Sequence, residues 1–332
     1  MLLHPSILAI LVGALLVGGM ILFSVHHAAR ILRYWDLAGG SELQLELERG
    51  TYLVSTVMSY ALGFQVLSLF LFIFTVDDMS PLFVGAMCAA GTLNANAWGY
   101  PTLILKVVNS LSAGLWLILN YTDNRGYDYP LIRIKYKMLL WIAPGMILET
   151  ILQSAYFLDL KPDVITSCCG TLFTSEASGA AGGILVLPRQ WVEAAFYAAM
   201  GGTLAAGVFT WAKGKGAYLF SGFSCGAFLL GVLSLISFIS LYYYELPTHH
   251  CPFCVLHPEY HYVGYGLYGT LLAGAVTGMG TGVIEPFREV PSLAETLPGI
   301  RRALALVSVL SYAGFVGMVT YQILFSNLKM GD

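Results

Sequence analysis

The stretch SILAILVGALLVGGMILFSV (residues 6–25) contains no charged residue, and it decides the fold class. About 20 apolar residues in a helix cross the hydrocarbon core of a bilayer. Backbone groups in that core must find their hydrogen-bond partners within the segment, which favours an α-helix. We therefore predict a membrane-spanning helix. We expect a span rather than a cleaved signal peptide, because no basic region precedes the stretch.

The remainder of the chain has the same apolar character. It is 57% hydrophobic and 11% charged, whereas a soluble domain carries about 25% charged residues. The sequence predicts an all-α, polytopic bundle of about eight transmembrane helices, forming a single membrane domain over residues 1–332. The predicted spans are residues 6–25, 52–75, 101–121, 138–160, 191–212, 217–244, 262–284 and 302–326.

Basic residues are concentrated on one side of this arrangement. If the N-terminus lies outside, the inner segments hold 12 of the 16 Lys and Arg residues, and the outer segments hold Lys161, Arg189 and Lys329. Cytoplasmic loops are enriched in Lys and Arg, so we expect both termini outside a bacterial-type plasma membrane. The inner segment 36–50 alternates leucines with acids and predicts a short amphipathic helix. The net charge of -3 gives no reason to expect nucleic-acid binding, and the expected partner is the lipid bilayer.

Five of the six cysteines fall in the predicted outer loops. The outer face is the oxidising side of such a membrane, where disulfides form and persist. The sixth cysteine, Cys225, lies within a span, where a cysteine behaves as a small hydrophobe. The five are Cys88 after the second span, Cys168 and Cys169 after the fourth, and Cys251 and Cys254 after the sixth.

The most specific motif is Cys-Pro-Phe-Cys in THHCPFCVLHPEYHYVGYG (residues 248–266), a segment that we call the hinge. Two thiols at this spacing can close a small disulfide, and the seventh predicted span follows almost directly. A helix N-terminus stabilises a thiolate, and protonated His249 or His250 would add to this effect. The hinge therefore predicts a thiol redox centre. The alternative is a static disulfide that holds a loop.

The cysteine pattern resembles that of the quinone-coupled disulfide-forming membrane proteins, namely the vitamin K epoxide reductase family and its bacterial functional counterpart. The resemblance rests on the Cys-x-x-Cys at a helix end and on MCAAGTLNANAWGYP (residues 87–101). It implies that Cys251 exchanges with loop thiols, that Cys254 faces a quinone, and that Cys88 with Cys168 or Cys169 acts as the shuttle. An extracytoplasmic thiol protein would supply the electrons.

A metal site is the second interpretation of the hinge. Thiolate and imidazole ligands suit copper or zinc, and a non-enzymatic protein binding either metal is the alternative function. A third interpretation is a subunit of a larger membrane complex, whose cysteines only join outer loops. The candidate metal ligands are His249, His250, Cys251, Cys254, His257 and His261.

Two ionisable residues lie within the predicted spans. Lys106 is in the third span and Glu149 in the fourth. Charges inside a bilayer are costly and mark functional sites by default. The two side chains can reach each other if these spans are neighbours. They predict either a structural contact, or a proton path or contact to a quinone headgroup. The tyrosines around the hinge, including Tyr244 and Tyr260, predict an interfacial belt.

Overall fold

The computed structural model describes residues 4–36, 41–161, 164–166 and 188–328. Within these ranges the chain is helical, with no strand. Among the described residues, eight helices are long and apolar enough to cross a membrane, which confirms the predicted fold class. The helices are α1 (Pro5–Tyr34), α2 (Glu42–Asp78), the short α3 (Ala89–Leu93), α4 (Gly99–Asp123), α5 (Ile132–Leu158), α6 (Arg189–Lys213), α7 (Ala217–Tyr244), α8 (Val263–Ile284) and α9 (Leu297–Phe325).

Three helices begin at least five residues earlier than the hydropathy pattern indicates, and one of them is α9, which begins at Leu297. Residues 42–50 form the first turns of α2 and are continuous with it, instead of forming a separate helix. Helix α5 begins at Ile132, so Lys135, which the sequence places in an inner loop, lies within the helix and is buried. Its Nζ atom lies 2.6 Å from Oδ2 of Asp123 at the end of α4. The ion pair compensates the charge of Lys135 at this buried position.

The described residues group into two compact units, which we call the first and second units. In the first unit, α5 packs against both α1 and α4. The side chains of Trp116 and Tyr136 are fully buried in its core. The first unit comprises Met1–Thr75, Asn96–Leu160 and Phe287–Leu297.

The second unit contains α6 to α9 and the segment that carries Cys88. Helix α7 packs against both α6 and α8. The approach of α8 to α7 depends on glycine, because a Cβ at Gly282 would lie 2.6 Å from the side chain of Ser221. This close packing agrees with the glycine-rich character of the seventh predicted span. The second unit comprises Val76–Ala95, Lys161–Pro286 and Pro298–Asp332.

Candidate functional site

Three cysteines meet in the second unit, and we call Cys88, Cys251 and Cys254 the cysteine cluster. The Sγ atoms of Cys88 and Cys251 lie 3.5 Å apart, and all three Sγ atoms lie within 4.8 Å of one another. Cys88 and Cys251 are buried, whereas Cys254 is partly exposed. An S–S bond is about 2.05 Å long, so Cys88 and Cys251 are in contact without being covalently joined. When one of these sulfurs is part of a disulfide, a thiolate on the other can attack it with little movement.

The local backbone places two of the three cysteines at helix ends. Cys88 directly precedes α3 in an extended conformation. Cys254 begins the 3-10 turn Cys254–Leu256, which leads towards α8. This turn packs directly on α8, since a Cβ at Gly264 would lie 2.9 Å from the carbonyl oxygen of Val255. Any larger residue than glycine at position 264 would therefore push the cysteine-bearing turn away.

Two tyrosines hold the Cys-Pro-Phe-Cys backbone. The hydroxyl of Tyr244 donates to the carbonyl of Cys251 at 2.6 Å and accepts the N–H of Val255 at 2.8 Å. The hydroxyl of Tyr268 donates to the carbonyl of Pro252 at 2.6 Å. Tyr244 is buried, so its assignment to an interfacial belt was wrong. Buried tyrosine hydroxyls usually need a hydrogen-bond partner, and the hinge backbone supplies it here.

His250 anchors the hinge to a π turn in α7. Residues Leu235–Ile239 form the π turn, a rare feature that is frequent at functional sites. The Nδ1 atom of His250 lies 3.1 Å from the carbonyl oxygens of both Ile236 and Ser237. Carbonyl oxygens only accept, so Nδ1 carries the proton. His250 therefore holds the position of the hinge through this nitrogen.

Asp77, near the C-terminus of α2, connects the Cys88 segment to the hinge. Its Oδ1 atom accepts the backbone N–H of Ala89 at 2.8 Å and lies 3.0 Å from Nε2 of His257. The hydrogen bond to Asp77 raises the pKa of His257 above its ordinary value. Asp77 thus positions Cys88 from one side and His257 from the other. Sequence reasoning missed it, although a carboxylate at a span end beside a cysteine loop was a usable signal.

The side chain of His249 contacts a thiol of the cysteine cluster. Its Nε2 atom lies 3.3 Å from Sγ of Cys254. Its ring packs edge-on against Tyr244 with the ring centroids 4.6 Å apart. Burial lowers the pKa of His249, so the imidazole is neutral at pH 7. A neutral imidazole in this position can take the proton of the Cys254 thiol.

The candidate metal ligands do not come together as one set. His250 binds the π turn, His257 binds Asp77, and His261 is exposed with a left-handed backbone. The group of mutually close ligand atoms found among the described residues consists of the cysteine cluster alone. Cys88, which was not on the predicted metal list, replaces the histidines. The spacing of residues within the hinge could not predict the participation of Cys88, because Cys88 lies in another loop.

Cys168 and Cys169 lie outside the described residues. The described segment that precedes them ends at Thr166. The N–H of Thr166 donates to the carbonyl of Val84 at 3.0 Å. A side chain at Gly85 would collide with the carbonyl of Thr166, and Gly85 has a φ of 90° that favours glycine. Thr166 therefore lies against the segment that leads to Cys88.

In the first unit, Lys106 and Glu149 form the ion pair that the sequence allowed. The Nζ of Lys106 lies 2.7 Å from Oε1 of Glu149 and donates to Ser68 at 3.1 Å. Gln65 donates to both carboxylate oxygens, at 2.7 and 2.6 Å, and Asn109 donates to Oε2 at 2.7 Å. The network joins α2, α4 and α5. Both carboxylate oxygens already have protein donors, which favours the structural interpretation of this pair.

An open cavity of about 500 Å³ lies at the surface beside the hinge, between the end of α7 and α9. Its walls are mostly apolar and include Tyr243, Tyr260, Met318 and Tyr321. Its polar lining residues are Glu259, His261 and Gln322. Tyr260 packs against Tyr244 with the ring centroids 4.9 Å apart. Tyr260 therefore connects the wall of the cavity to Tyr244, whose hydroxyl binds the carbonyl of Cys251.

Comparison of the chain with protein-family models, with curated proteins and with solved structures gives no match.

Proposed function

We propose that the protein is a membrane thiol-disulfide oxidoreductase that passes electrons from extracytoplasmic thiols to a membrane quinone. The observation that carries the proposal is the 3.5 Å contact between the sulfur atoms of Cys88 and Cys251, with Cys254 in the same cluster. The Cys-x-x-Cys pair alone could be a static disulfide. A third thiol in contact with the pair supplies what disulfide exchange requires.

The exchange begins with a disulfide between Cys251 and Cys254. The Cys88 thiolate attacks Sγ of Cys251, which forms the Cys88–Cys251 disulfide and releases Cys254 as a thiolate. A second shuttle thiol, Cys168 or Cys169, then attacks Cys88 and releases Cys251. The shuttle disulfide formed in this step is reduced by the extracytoplasmic dithiol, which becomes a disulfide.

The reduced pair Cys251 and Cys254 then returns to its disulfide. Two electrons and two protons pass from the two thiols to the quinone, which becomes a quinol. His249 serves this step by exchanging a proton with Cys254, whose sulfur lies 3.3 Å from its Nε2. The overall reaction oxidises one dithiol and reduces one quinone, so electrons and protons balance.

The cavity beside the hinge supports a quinone as the oxidant. Its aromatic and apolar walls suit a flat ring with an apolar tail. Tyr260 belongs to the cavity wall and packs on Tyr244 beside the cluster. Cys254 is the partly exposed member of the cluster, whereas Cys88 and Cys251 are buried. This exposure suits Cys254 to the role of the quinone-side thiol that the family resemblance implies.

An extracytoplasmic location of the cluster is part of the proposal. It is supported by the excess of Lys and Arg in the segments assigned to the opposite side. Lys135 is buried against Asp123, so we no longer count it among the inner basic residues. The segments assigned to the inner side still hold 11 of the 16 Lys and Arg residues.

The test is the thiol state of the native protein as the quinone pool changes. Membranes are quenched with acid, alkylated with a mass-shifting reagent and compared with oxidised and with reduced quinone. We expect a disulfide within the cluster when the quinone is oxidised and thiols when it is reduced, with Cys225→Ala behaving as the wild type. A disulfide that persists whether the quinone is oxidised or reduced would identify the cysteines as structural. That result would contradict the proposed function.

A further inference from the structure

We propose that the fully reduced cysteine cluster is a three-coordinate site for the soft monovalent cation Cu(I). The site is made by Cys88, Cys251 and Cys254, which differ from the ligands that the hinge sequence suggests. The inference uses the same sulfur atoms as the proposed redox function but does not depend on it.

The spacing of the sulfur atoms fits trigonal coordination. A metal–thiolate bond of about 2.3 Å puts the three sulfurs of a planar site about 4.0 Å apart. The observed spacing is compatible with this value, since the sulfurs of Cys88 and Cys251 are 3.5 Å apart and no two of the three are more than 4.8 Å apart. A bound cation would therefore move each sulfur by less than about 1 Å.

The ligands that lie together among the described residues suit Cu(I) better than zinc. Structural zinc sites are almost always tetrahedral and need four ligands. The mutually close group in the described part of the chain has three, all of them sulfur, and the Nε2 atom of His249, 3.3 Å from Cys254, is not part of it. Asp77 is bound to Ala89 and His257. Soft thiolate ligands select Cu(I).

Coordination and disulfide exchange exclude each other. Binding of Cu(I) to three thiols releases three protons, and the thiolates keep their oxidation state. A disulfide between any two of the cysteines removes two of the three ligands. The reduced protein should therefore bind the cation, and the oxidised protein should not.

The experiment uses the full-length protein in detergent, reduced under nitrogen and freed of the reductant. Cu(I) is supplied as its bicinchoninate complex, whose loss of colour reports transfer to the protein. We expect one Cu(I) per chain, with X-ray absorption showing three sulfur neighbours at about 2.3 Å. Changing even a residue that only orients a ligand costs about 10- to 100-fold in affinity. Each of Cys88→Ser, Cys251→Ser and Cys254→Ser should therefore cost at least about tenfold.

A matched control separates this site from a cysteine outside the cluster. Cys225→Ala removes an exposed cysteine in α7 and should keep the wild-type affinity. If Cys88→Ser binds as tightly as the wild type, or if X-ray absorption shows two sulfurs or a nitrogen, the three-thiolate site is wrong. The absorption spectrum of the wild type decides the question even if Cys88→Ser does not fold.

The assay contains no quinone and no thiol partner. Failure to bind Cu(I) would leave the redox proposal intact. Conversely, a cluster that binds Cu(I) and never forms a disulfide would overturn the redox proposal alone.

Discussion

The sulfur atoms of Cys88 and Cys251 lie 3.5 Å apart, although 163 positions separate the two residues in the sequence. Each cysteine is held by a different side chain. Asp77 binds the backbone beside Cys88, and Tyr244 binds the carbonyl of Cys251. The contact is therefore built by two loops that are positioned independently, and it does not follow from the Cys-x-x-Cys spacing.

Removal of Cys254 should trap the exchange intermediate. In Cys254→Ser, Cys251 has lost its partner in the hinge, and Cys88 is the neighbouring thiol at 3.5 Å. We expect a Cys88–Cys251 disulfide to accumulate in most molecules under air, detected by mass spectrometry of unreduced peptides. Cys225→Ala, which removes an exposed cysteine in α7, should show no such peptide. Recovery of Cys251 only as a thiol in Cys254→Ser would contradict the relay.

Gly264 should be essential for the position of the Cys254 turn. A Cβ at this position would lie 2.8 Å from side-chain atoms of both Val255 and Leu256. Overpacking of this kind costs about 1–3 kcal/mol of folding free energy. We expect Gly264→Ala to lower the Tm in detergent and to raise the rate of alkylation at Cys254.

The matched control for this substitution lies in the same helix. A Cβ at Gly269 would meet no atom within 4 Å, so Gly269→Ala should leave both the Tm and the alkylation rate near their wild-type values. Equal effects of the two substitutions would show that helix propensity, and not contact with the hinge, determines the result.

The contact between His257 and Asp77 should weaken as the pH rises. Asp77 raises the pKa of His257 in the folded protein. The stabilisation is therefore complete below the ordinary histidine pKa of about 6.5. It is lost as the pH rises through the raised value, because the unfolded chain then binds fewer protons than the folded one.

Asp77→Asn isolates this effect, because the amide oxygen can still accept the N–H of Ala89. We expect the wild type to have a higher Tm than Asp77→Asn at pH 5.5. The difference should shrink as the pH rises above 6.5 and passes through the raised pKa of His257. A Tm difference that is constant across this range would exclude a protonated His257 from the contact.

The sequence was sufficient for the eight spans because long apolar runs leave few alternatives to a helix in a bilayer. It was also sufficient to identify the Cys-x-x-Cys hinge, whose signal is local. Cys88 was named as a shuttle thiol only through the family resemblance, and the sequence alone could not select it over the histidines as the third member of the cluster. That choice depends on how the end of α2 and the hinge fold back together, and hydropathy carries no information about it.

The positions of polar residues near the ends of spans were harder to predict from the sequence. Tyr244 looked like an interfacial residue because its neighbours are also tyrosines, yet its hydroxyl holds two backbone groups of the hinge. Lys135 looked like a loop residue because three basic residues lie close together there. Its ion pair with Asp123 places it inside α5. In both cases a specific partner overrides the general preference of the residue type.

Removal of one partner of the Lys106–Glu149 pair should destabilise the first unit. Both side chains are buried. Removal of one partner of a buried ion pair leaves an uncompensated charge and costs about 3–5 kcal/mol. We expect Lys106→Met to lose this amount in the free energy of unfolding, measured by denaturant titration in mixed micelles. The double variant Lys106→Met/Glu149→Gln should regain part of the loss, because the remaining charge is gone.

A control for this pair is available on the protein surface. Arg30 and Glu46 form a 3.0 Å contact with both groups exposed, and exposed pairs contribute little. Glu46→Gln should therefore leave the unfolding free energy almost unchanged. If Lys106→Met behaves like Glu46→Gln, the buried network does not hold the helices together.

The cavity beside the hinge should be the place where the quinone binds. Gly317 lines it, and a Cβ at this position would meet no atom within 4 Å. Gly317→Leu should therefore fold normally while it fills the space available to a quinone ring. We expect KM for a short-chain quinone to rise about tenfold, equivalent to about 1.4 kcal/mol of binding. Formation of the Cys88–Cys251 disulfide in the Cys254→Ser background should be unaffected.

Gly299→Leu provides the comparison, since Gly299 lies in the same helix and a Cβ there would also meet no atom within 4 Å. It should leave KM unchanged. Quinone reduction by Gly317→Leu with a wild-type KM would place the oxidant elsewhere on the protein. Loss of disulfide exchange in Gly317→Leu would instead show that the cavity supports the fold of the hinge. The two measurements together therefore separate a binding site from a structural gap.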